Sequence, residues 1–523
     1  MPGGLIQLVG NSNADNFLTQ NPQISFFKSV FRKYSRFALE SIDEPVTNSD
    51  LSKFDTNKIS IKIPRNGDLL CGIYVVFNLP PIFSGKSTDN ANTFNFKWVR
   101  KVAAQLLKEV TLFIGNQKID TLTSEWLSVQ SELHLSDEQK SLLSKLSGEI
   151  KELYEPESAT GNNSTYPHIK GNGGTFTQHD RHAGNVMTFA QANTSTTFPS
   201  IDGKKLKIPL PFFFSESSGN ALPLIALQYS EVRLDITLAP LYDLFTVLDT
   251  RNALDSTNKR VKVTSATDNS LGFANFSDAL QNNKLPINMS LECVYAFLDT
   301  EERKRFAAFP HQYLITQMKN SRSVKGADNS TELNYYLSGI NPVKYIVVVP
   351  KRNDSKNMNL WTNFTNWQTK YPIYSEEFST SEQYYDNVLG RYPFYTTSYG
   401  TQTDLSVANS KKSIIESMVL KFNGQERFKE RTKEYFELQQ PLQHFEAAPS
   451  LDGIFVYSFS LNADNIQPSG SCDFTVYNEI QVAITANIPN ISDYTYSIDL
   501  DIYTINYNIL NIQNGIGALV FAS

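Results

Sequence analysis

Apolar and polar residues alternate over short stretches along most of this chain, the period of half-buried strands rather than of helices. Lys58 to Ile63 alternates without a break, Leu69 to Asn78 forms a longer apolar run closed by Leu79-Pro-Pro81, and Glu231 to Leu238 alternates again. Phe37 to Ile42, Lys205 to Phe214 and Ala221 to Tyr229 also read as strands, and Leu291 to Leu298 ends this first series. A second series comprises Tyr313 to Met318, Val343 to Val349, Ser417 to Phe422, Gly453 to Leu461, Glu479 to Ala486 and Ile498 to Ile512. In the last run the apolar set changes phase at Tyr503, which predicts a β-bulge there.

The two series share a motif. Val110-Thr-Leu-Phe-Ile-Gly-Asn-Gln-Lys-Ile119 reads as a strand entering a Gly-Asn turn, and Met418-Val-Leu-Lys-Phe-Asn-Gly-Gln-Glu-Arg427 repeats it. Such turns need φ > 0, which Gly and Asn supply. Each turn leads into a helical stretch with large aromatics, Ser124-Glu-Trp126-Leu in one half and Lys433-Glu-Tyr435-Phe436 in the other. Duplicated β domains follow, as does the length: 523 residues exceed the roughly 250 to 300 that one core serves.

Helical patterns interrupt the strands in few places. Asn21-Pro22 has the form of an N-cap with Pro at the first helical position, after which Phe27, Val30, Phe31 and Tyr34 share a helical face and Lys28, Arg32, Lys33 and Arg36 occupy the rest. This basic amphipathic segment either packs its aromatics under the first β unit or lies on a membrane surface, and packing is the simpler expectation. The residues before it, Gly- and Asn-rich with one apolar run at Leu5 to Val9, form an arm that orders by docking. Asp299-Thr-Glu-Glu-Arg-Lys-Arg305 reads as a short capped helix and marks the junction of the halves. The stretches at about 136–200 and 249–284 are polar surface insertions, the first opening with a charged helix at Ser136.

Composition narrows the function. The chain is 12% aromatic and only 19% charged, which suits strands and extensive interfaces. A formal net charge of −6 offers no general attraction for a phosphate backbone, so direct nucleic-acid binding is not expected. No run of about 18 apolar residues occurs and Met1-Pro-Gly-Gly lacks a signal-peptide pattern, so a soluble protein made in the cytosol is expected. Cys71, Cys293 and Cys472 are too few and too scattered for a disulfide framework or zinc knuckle and are expected as buried small apolar residues.

Catalytic patterns are missing. The sequence has no Gly-x-Ser-x-Gly elbow, phosphate-binding loop or His-Glu-x-x-His, and Asp299 and Glu301 fit helix capping better than paired-carboxylate chemistry. His179-Asp-Arg-His182 lacks a third ligand nearby. No catalytic, cofactor or metal residue is therefore assigned. Asn-x-Ser/Thr sequons at Asn163, Asn193, Asn275, Asn288, Asn329, Asn363 and Asn490 are the candidate glycosylation positions.

Several long segments resemble the major capsid proteins of nucleocytoplasmic large DNA viruses, the group that includes iridovirus, phycodnavirus, mimivirus and marseillevirus capsid proteins. They are Asn21-Pro-Gln-Ile-Ser-Phe-Phe-Lys-Ser-Val-Phe-Arg-Lys-Tyr34, Ile208-Pro-Leu-Pro-Phe-Phe-Phe214 with Ala221 to Arg233, Phe297-Leu-Asp-Thr-Glu-Glu-Arg-Lys-Arg-Phe306, Phe113-Ile-Gly-Asn-Gln-Lys-Ile-Asp120 with Ser124-Glu-Trp126, Gln467-Pro-Ser-Gly-Ser471, and Gly515-Ile-Gly-Ala-Leu-Val-Phe521. The resemblance covers nearly the whole chain. It departs where Ser230 stands in place of a common His, and at Phe445 beside His444, where a His pair is frequent.

The resemblance implies an all-β fold of two tandem eight-stranded antiparallel jelly rolls with short helices in connections and insertions. The implied divisions are an arm at 1–25, a first roll at 26–300, a linker helix at 301–310 and a second roll at 311–523. It further implies a non-enzymatic homotrimeric, pseudo-hexagonal capsomer that assembles in the host cytoplasm into an icosahedral virion shell. Its partners would be itself, neighbouring capsomers, minor capsid and penton proteins, and an internal membrane reached through inner-face proteins. A minor capsid or scaffold protein of the same fold is the nearer rival; a lectin-like or carbohydrate-active β-sandwich is the farther one.

Overall fold

The computed structural model describes residues 3–10, 12–83, 94–154, 201–249, 262–264, 272–325, 332–337, 341–366, 413–487 and 496–521. In the first half the principal strands are β1 (Phe37–Pro45), β2 (Asn57–Lys62), β3 (Leu69–Leu79), β4 (Leu107–Ile114), β5 (Gln117–Thr123), β6 (Lys204–Pro209), β7 (Val232–Leu238) and β8 (Ser290–Leu298). They form two sheets, ordered β1-β8-β3-β6 and β2-β7-β4-β5, all pairings antiparallel. In the second half β9 (His311–Lys325), β10 (Glu332–Leu337), β11 (Pro342–Arg352), β12 (Ile415–Phe422), β13 (Gln425–Glu426), β14 (Phe455–Ser458), β15 (Ile480–Ala486) and β16 (Ile498–Gln513) repeat those orders as β9-β16-β11-β14 and β10-β15-β12-β13. Adding eight to each strand of the first half gives the second. The fold is a double jelly roll, and a short strand β17 (Ile516–Leu519) turns back onto β16.

Alternation explains why these segments pair. In β7 the burial pattern places Val232, Leu234, Ile236 and Leu238 inward against Val110, Leu112 and Ile114 of β4. The hairpin between β4 and β5 turns at Gly115, φ +61°, and its counterpart between β12 and β13 at Asn423 and Gly424, φ +49° and +79°. Thr123 caps α3 (Ser124–His134), its hydroxyl accepting from the Trp126 amide at 3.2 Å. A Ser136–Gln139 capping box opens α4 (Asp137–Ser147). Asp299 caps α5 (Thr300–Ala308), which connects β8 to β9, and Arg303 in it reaches Asp68 at 3.0 Å.

The second roll encloses its own core, which includes Leu333, Ile346, Leu420, Phe436, Val482 and Leu500. The first roll's core is larger because it continues without a break into the second roll through Tyr345, Val347, Val349, Tyr503 and Ile505. The two rolls thus share apolar packing.

Five expectations need correction. Residues 21–36 are not helical: the helices of the arm are α1 (Gly3–Val9) and α2 (Asn13–Thr19), the latter opened by a Ser12–Asp15 capping box and ended at Gln20 in extended backbone, after which Asn21 takes φ +57°. Phe27, Val30, Phe31 and Tyr34 are exposed rather than packed under the first roll, and an amphipathic helix without a partner for its apolar face gains little from forming. Of the runs Lys205 to Phe214 and Ala221 to Tyr229 only Lys204–Pro209 and Leu222–Pro223 are strands; prolines 209, 211 and 223 supply no ladder donor, and Phe213–Glu216 is a helical turn.

Tyr503 carries no bulge. β16 keeps one register against β9 from His311↔Ile512 to Lys325↔Ile498, and its irregularity against β11 lies at Val343/Tyr345. The phase change has another cause, because the strand is buried on both faces. Ile498, Leu500 and Ile502 face the second roll's core, whereas Tyr503 and Ile505 face the first roll. Finally, Cys293 is buried in the first roll's core but Cys71 and Cys472 are only partly buried, Cys472 packing against the edge of the second roll's core and Cys71 against the small cluster of Leu69, Ala221 and Ala296; all three are free thiols.

Candidate assembly surfaces

The interface between the rolls shows what surfaces this sequence builds for association. α3 leaves the β4-β5 hairpin and lies across the second roll's sheet, with Trp126 tilted against Tyr503 at 5.1 Å between ring centroids. Beside that contact Lys351 pairs with Glu125 and lies 3.4 Å from Asp501, while Arg322 reaches Asp499 at 3.1 Å. Burial pushes the Glu125 carboxyl above its ordinary value despite Lys351. Burial would lower Lys351, but Glu125 and Asp501 outweigh it and raise its pKa.

Farther along α3, Glu132 accepts from Lys101 at 2.7 Å and from the backbone amide and hydroxyl of Ser450 in the second roll. Burial works to raise Glu132, but Lys101 and Ser450 hold it below the usual range. At the end of α3, His134 pairs with Asp464 and contacts the Tyr345 hydroxyl at 2.9 Å, with the Phe445 ring 5.6 Å from its own. Phe445 is thus a buried packing residue. His444 beside it contacts the Leu461 carbonyl at 3.1 Å.

The chain end completes the clasp. β17 fits against the first roll through Gly517, whose amide donates to the Ser230 hydroxyl at 3.2 Å, and through Leu519, whose amide donates to Gln117 at 2.9 Å. Asp120 accepts from the Met318 amide at 3.1 Å. Ser230, the other departure from the resembled pattern, therefore holds the C-terminal strand.

Other surfaces stay uncovered in the single chain. Phe17 in the arm and Phe26 and Phe27 just after it are almost fully exposed. The helix over 433–444, α6, is π-wound at Tyr435–Gln439 and exposes Leu438 and Leu442. On the first roll's sheet, Phe37 and Leu39 of β1 are exposed.

The sequence-assigned positions distribute as follows. Among the candidate sequons Asn288 is exposed with φ +45°, whereas Asn275 and Asn363 are partly buried, and Asn363 accepts from both the Thr365 amide and hydroxyl. Asn163, Asn193, Asn329 and Asn490 lie outside the described residues, as do His179, His182 and most of both insertions. Among the described residues no group of three or more His, Cys, Asp or Glu side chains could hold a metal, and no helix is long and apolar enough to cross a membrane. Sequence reasoning missed the buried ionic cluster of Lys351, Asp499 and Asp501. Its signal was the polar residues interleaved in the Ile498 to Ile502 run, which an outward strand face explained equally well.

Comparison with known proteins agrees with this geometry. The family model "Major capsid protein N-terminus" matches residues 25–277, and "Large eukaryotic DNA virus major capsid protein" matches residues 302–518. The major capsid protein of Phaeocystis pouchetii virus is 28% identical over 593 aligned positions, and that of Paramecium bursaria Chlorella virus 1 is 29% identical over 548, each alignment covering 100% of both chains. Among solved structures, PBCV-1 VP54 aligns with 95% of this chain and 100% of its own at 25% identity, with a TM-score of 0.63. With one family model on each roll and relatives alignable from end to end, the chain belongs to the major capsid proteins of large eukaryotic DNA viruses.

Proposed function

We propose that this chain is the principal building block of a large icosahedral virion, three copies forming a pseudo-hexagonal capsomer and capsomers tiling the shell. The observation that carries the reading is the duplication itself: two rolls of identical strand order, joined through common apolar packing, give three chains six similar wedges around one axis. The protein then acts by symmetric association without catalysis. Residues 26–300 and 311–523 serve as the two wedges, 301–310 as their linker, 1–25 as an inner arm, and the insertions at 136–200 and 249–284 as outward loops.

Assembly in the host cytoplasm, with minor capsid and penton proteins beneath and an internal membrane between shell and genome, fits a net charge of −6 that does not attract DNA directly. Native mass spectrometry of the purified protein tests the central claim. A stable species near three times the 59.0 kDa chain mass is expected; a monomer at micromolar concentration would overturn it. Copy number in purified particles separates this reading from a minor capsid protein of the same fold, since the principal subunit dominates the particle's protein.

A further inference from the structure

A trio of side chains between the rolls holds more chemistry than an ion pair needs. Lys351 of β11 stands opposite Asp499 of β16, so its side chain shares a face of the sheet with Asp499 and, one diagonal step along β16, with Asp501. Lys356 and Arg322 serve Asp499. Lys351 is left to Asp501, 3.4 Å from Nζ to Oδ2, and to Glu125, which α3 brings from the first roll. Asp501 Oδ1 accepts from the Asn320 side-chain amide at 3.3 Å and faces Arg322 at 3.9 Å, whereas Oδ2, turned to Lys351, is buried and accepts no hydrogen bond.

These are the parts of an amide condensation: an amine, a carboxyl carbon whose second oxygen is held by donors, and a third group in contact with the amine that can carry protons. The surroundings are dry, with Lys351 9% exposed, Asp501 1% exposed and the Trp126–Tyr503 ring pair beside them. Bulk water opposes such a condensation because it hydrates the charged reactants and hydrolyses the product, and burial removes both effects. Fixed contact favours it further, since well-oriented intramolecular pairs reach effective molarities of about 10⁵–10⁸ M.

We propose that Lys351 and Asp501 condense into an isopeptide bond between β11 and β16, with Glu125 as the proton carrier. The ion-paired trio is the precursor. The Lys351 ammonium passes one proton to Glu125, and the freed Nζ attacks Cγ of Asp501 while Asn320 and Arg322 polarise Oδ1. The Nζ–Cγ bond forms and the Cγ–Oδ2 bond breaks. The proton held by Glu125 and the second proton lost by Nζ leave with Oδ2 as water, so Glu125 ends as it began and two buried charges become one neutral amide. Burial, which raises the Glu125 carboxyl, suits it to hold that proton in transit. The bond lies within one chain, so its presence does not depend on capsomer formation.

Intact mass and peptide mapping of the purified full-length protein test this. The parent is expected one water below its sequence mass, with no tryptic cleavage after Lys351 and a branched peptide joining the segments around 351 and 501. Lys351→Arg and Glu125→Gln should each show their full sequence mass, whereas Asp501→Asn should still cross-link but lose ammonia instead of water. Unlinked peptides carrying free Lys351 and free Asp501 from the parent overturn the proposal, and this measurement needs no variant to fold. A lost water that persists in Lys351→Arg also overturns it, because the dehydration then lies elsewhere. A Glu125→Gln protein that folds by circular dichroism and cross-links as fully as the parent overturns the role of Glu125.

Discussion

Trp126 of the first roll packs against Tyr503 of the second with ring centroids 5.1 Å apart and planes inclined by 36°. The contact joins a helix that closes one roll's hairpin to a strand whose other face belongs to the second roll's core. Truncating it should therefore be felt in both rolls. Trp126→Ala is expected to cost about 3–5 kcal/mol. It should also split a single denaturant transition in two, as the rolls lose their common packing. Urea unfolding followed by circular dichroism checks both, and a variant with an unshifted single transition would show that the rolls do not depend on this ring pair.

Lys351 answers two buried carboxylates, Glu125 and Asp501. Removing a cation from such a site strands charge in the interior. Lys351→Met is expected to lose about 3–5 kcal/mol, and adding Glu125→Gln to recover part of it. A double-mutant cycle on unfolding free energies measures this; additive effects would argue against direct coupling.

Asp120 gives a pH signature. Burial pushes its carboxyl from an ordinary 3.8 up to about 7, against the Met318 and Thr121 amides that work to lower it. Between about pH 4 and 7 the folded protein keeps a proton that the unfolded chain has released. The stabilising contribution is thus complete below the unfolded value and lost as pH rises through about 7. Asp120→Asn removes the titration, so its stability relative to the parent should improve from pH 5 to pH 8. Denaturation midpoints at the two pH values decide, and a pH-independent difference would refute the assignment.

Gly517 has no room for a side chain. A Cβ there would lie 2.9 Å from both Ile114 and Leu227 of the first roll. Gly517→Val should cost about 1–3 kcal/mol by overpacking. It should also loosen β17, exposing the chain end to limited proteolysis before any other described segment. Parent-like resistance at the C-terminus would show that the clasp tolerates the added bulk.

Glycan occupancy, where present, should favour Asn288 over Asn363. The former is exposed and the latter's amide oxygen is engaged by Thr365. Peptide mapping of virion-derived protein reads this directly, and modification of Asn363 with Asn288 bare would contradict it.

Much of the fold was legible because its signals are local. The alternation in Glu231 to Leu238, the Gly115 and Asn423-Gly424 turns and the Asp299 cap each act within a few residues, and each appears in the structure as read. What depended on distant partners was not. The phase change at Tyr503 looked like a bulge because periodicity registers that one face is buried, but a strand between two cores buries both. The Phe27–Tyr34 pattern has helical spacing, yet its outcome is set by a partner surface the single chain does not provide. Lys351 and Asp501 pair across neighbouring strands and Glu125 reaches Lys351 from the other roll, contacts that no window of sequence contains.

The packing shared between the rolls also has a mechanical consequence. Within one chain, separation of the wedges is resisted by the covalent connection and by an uninterrupted apolar interior, whereas between chains it is resisted by surface contact alone. A shell of such subunits under internal pressure should crack along the seams between molecules, shedding whole double-roll units and never half of one.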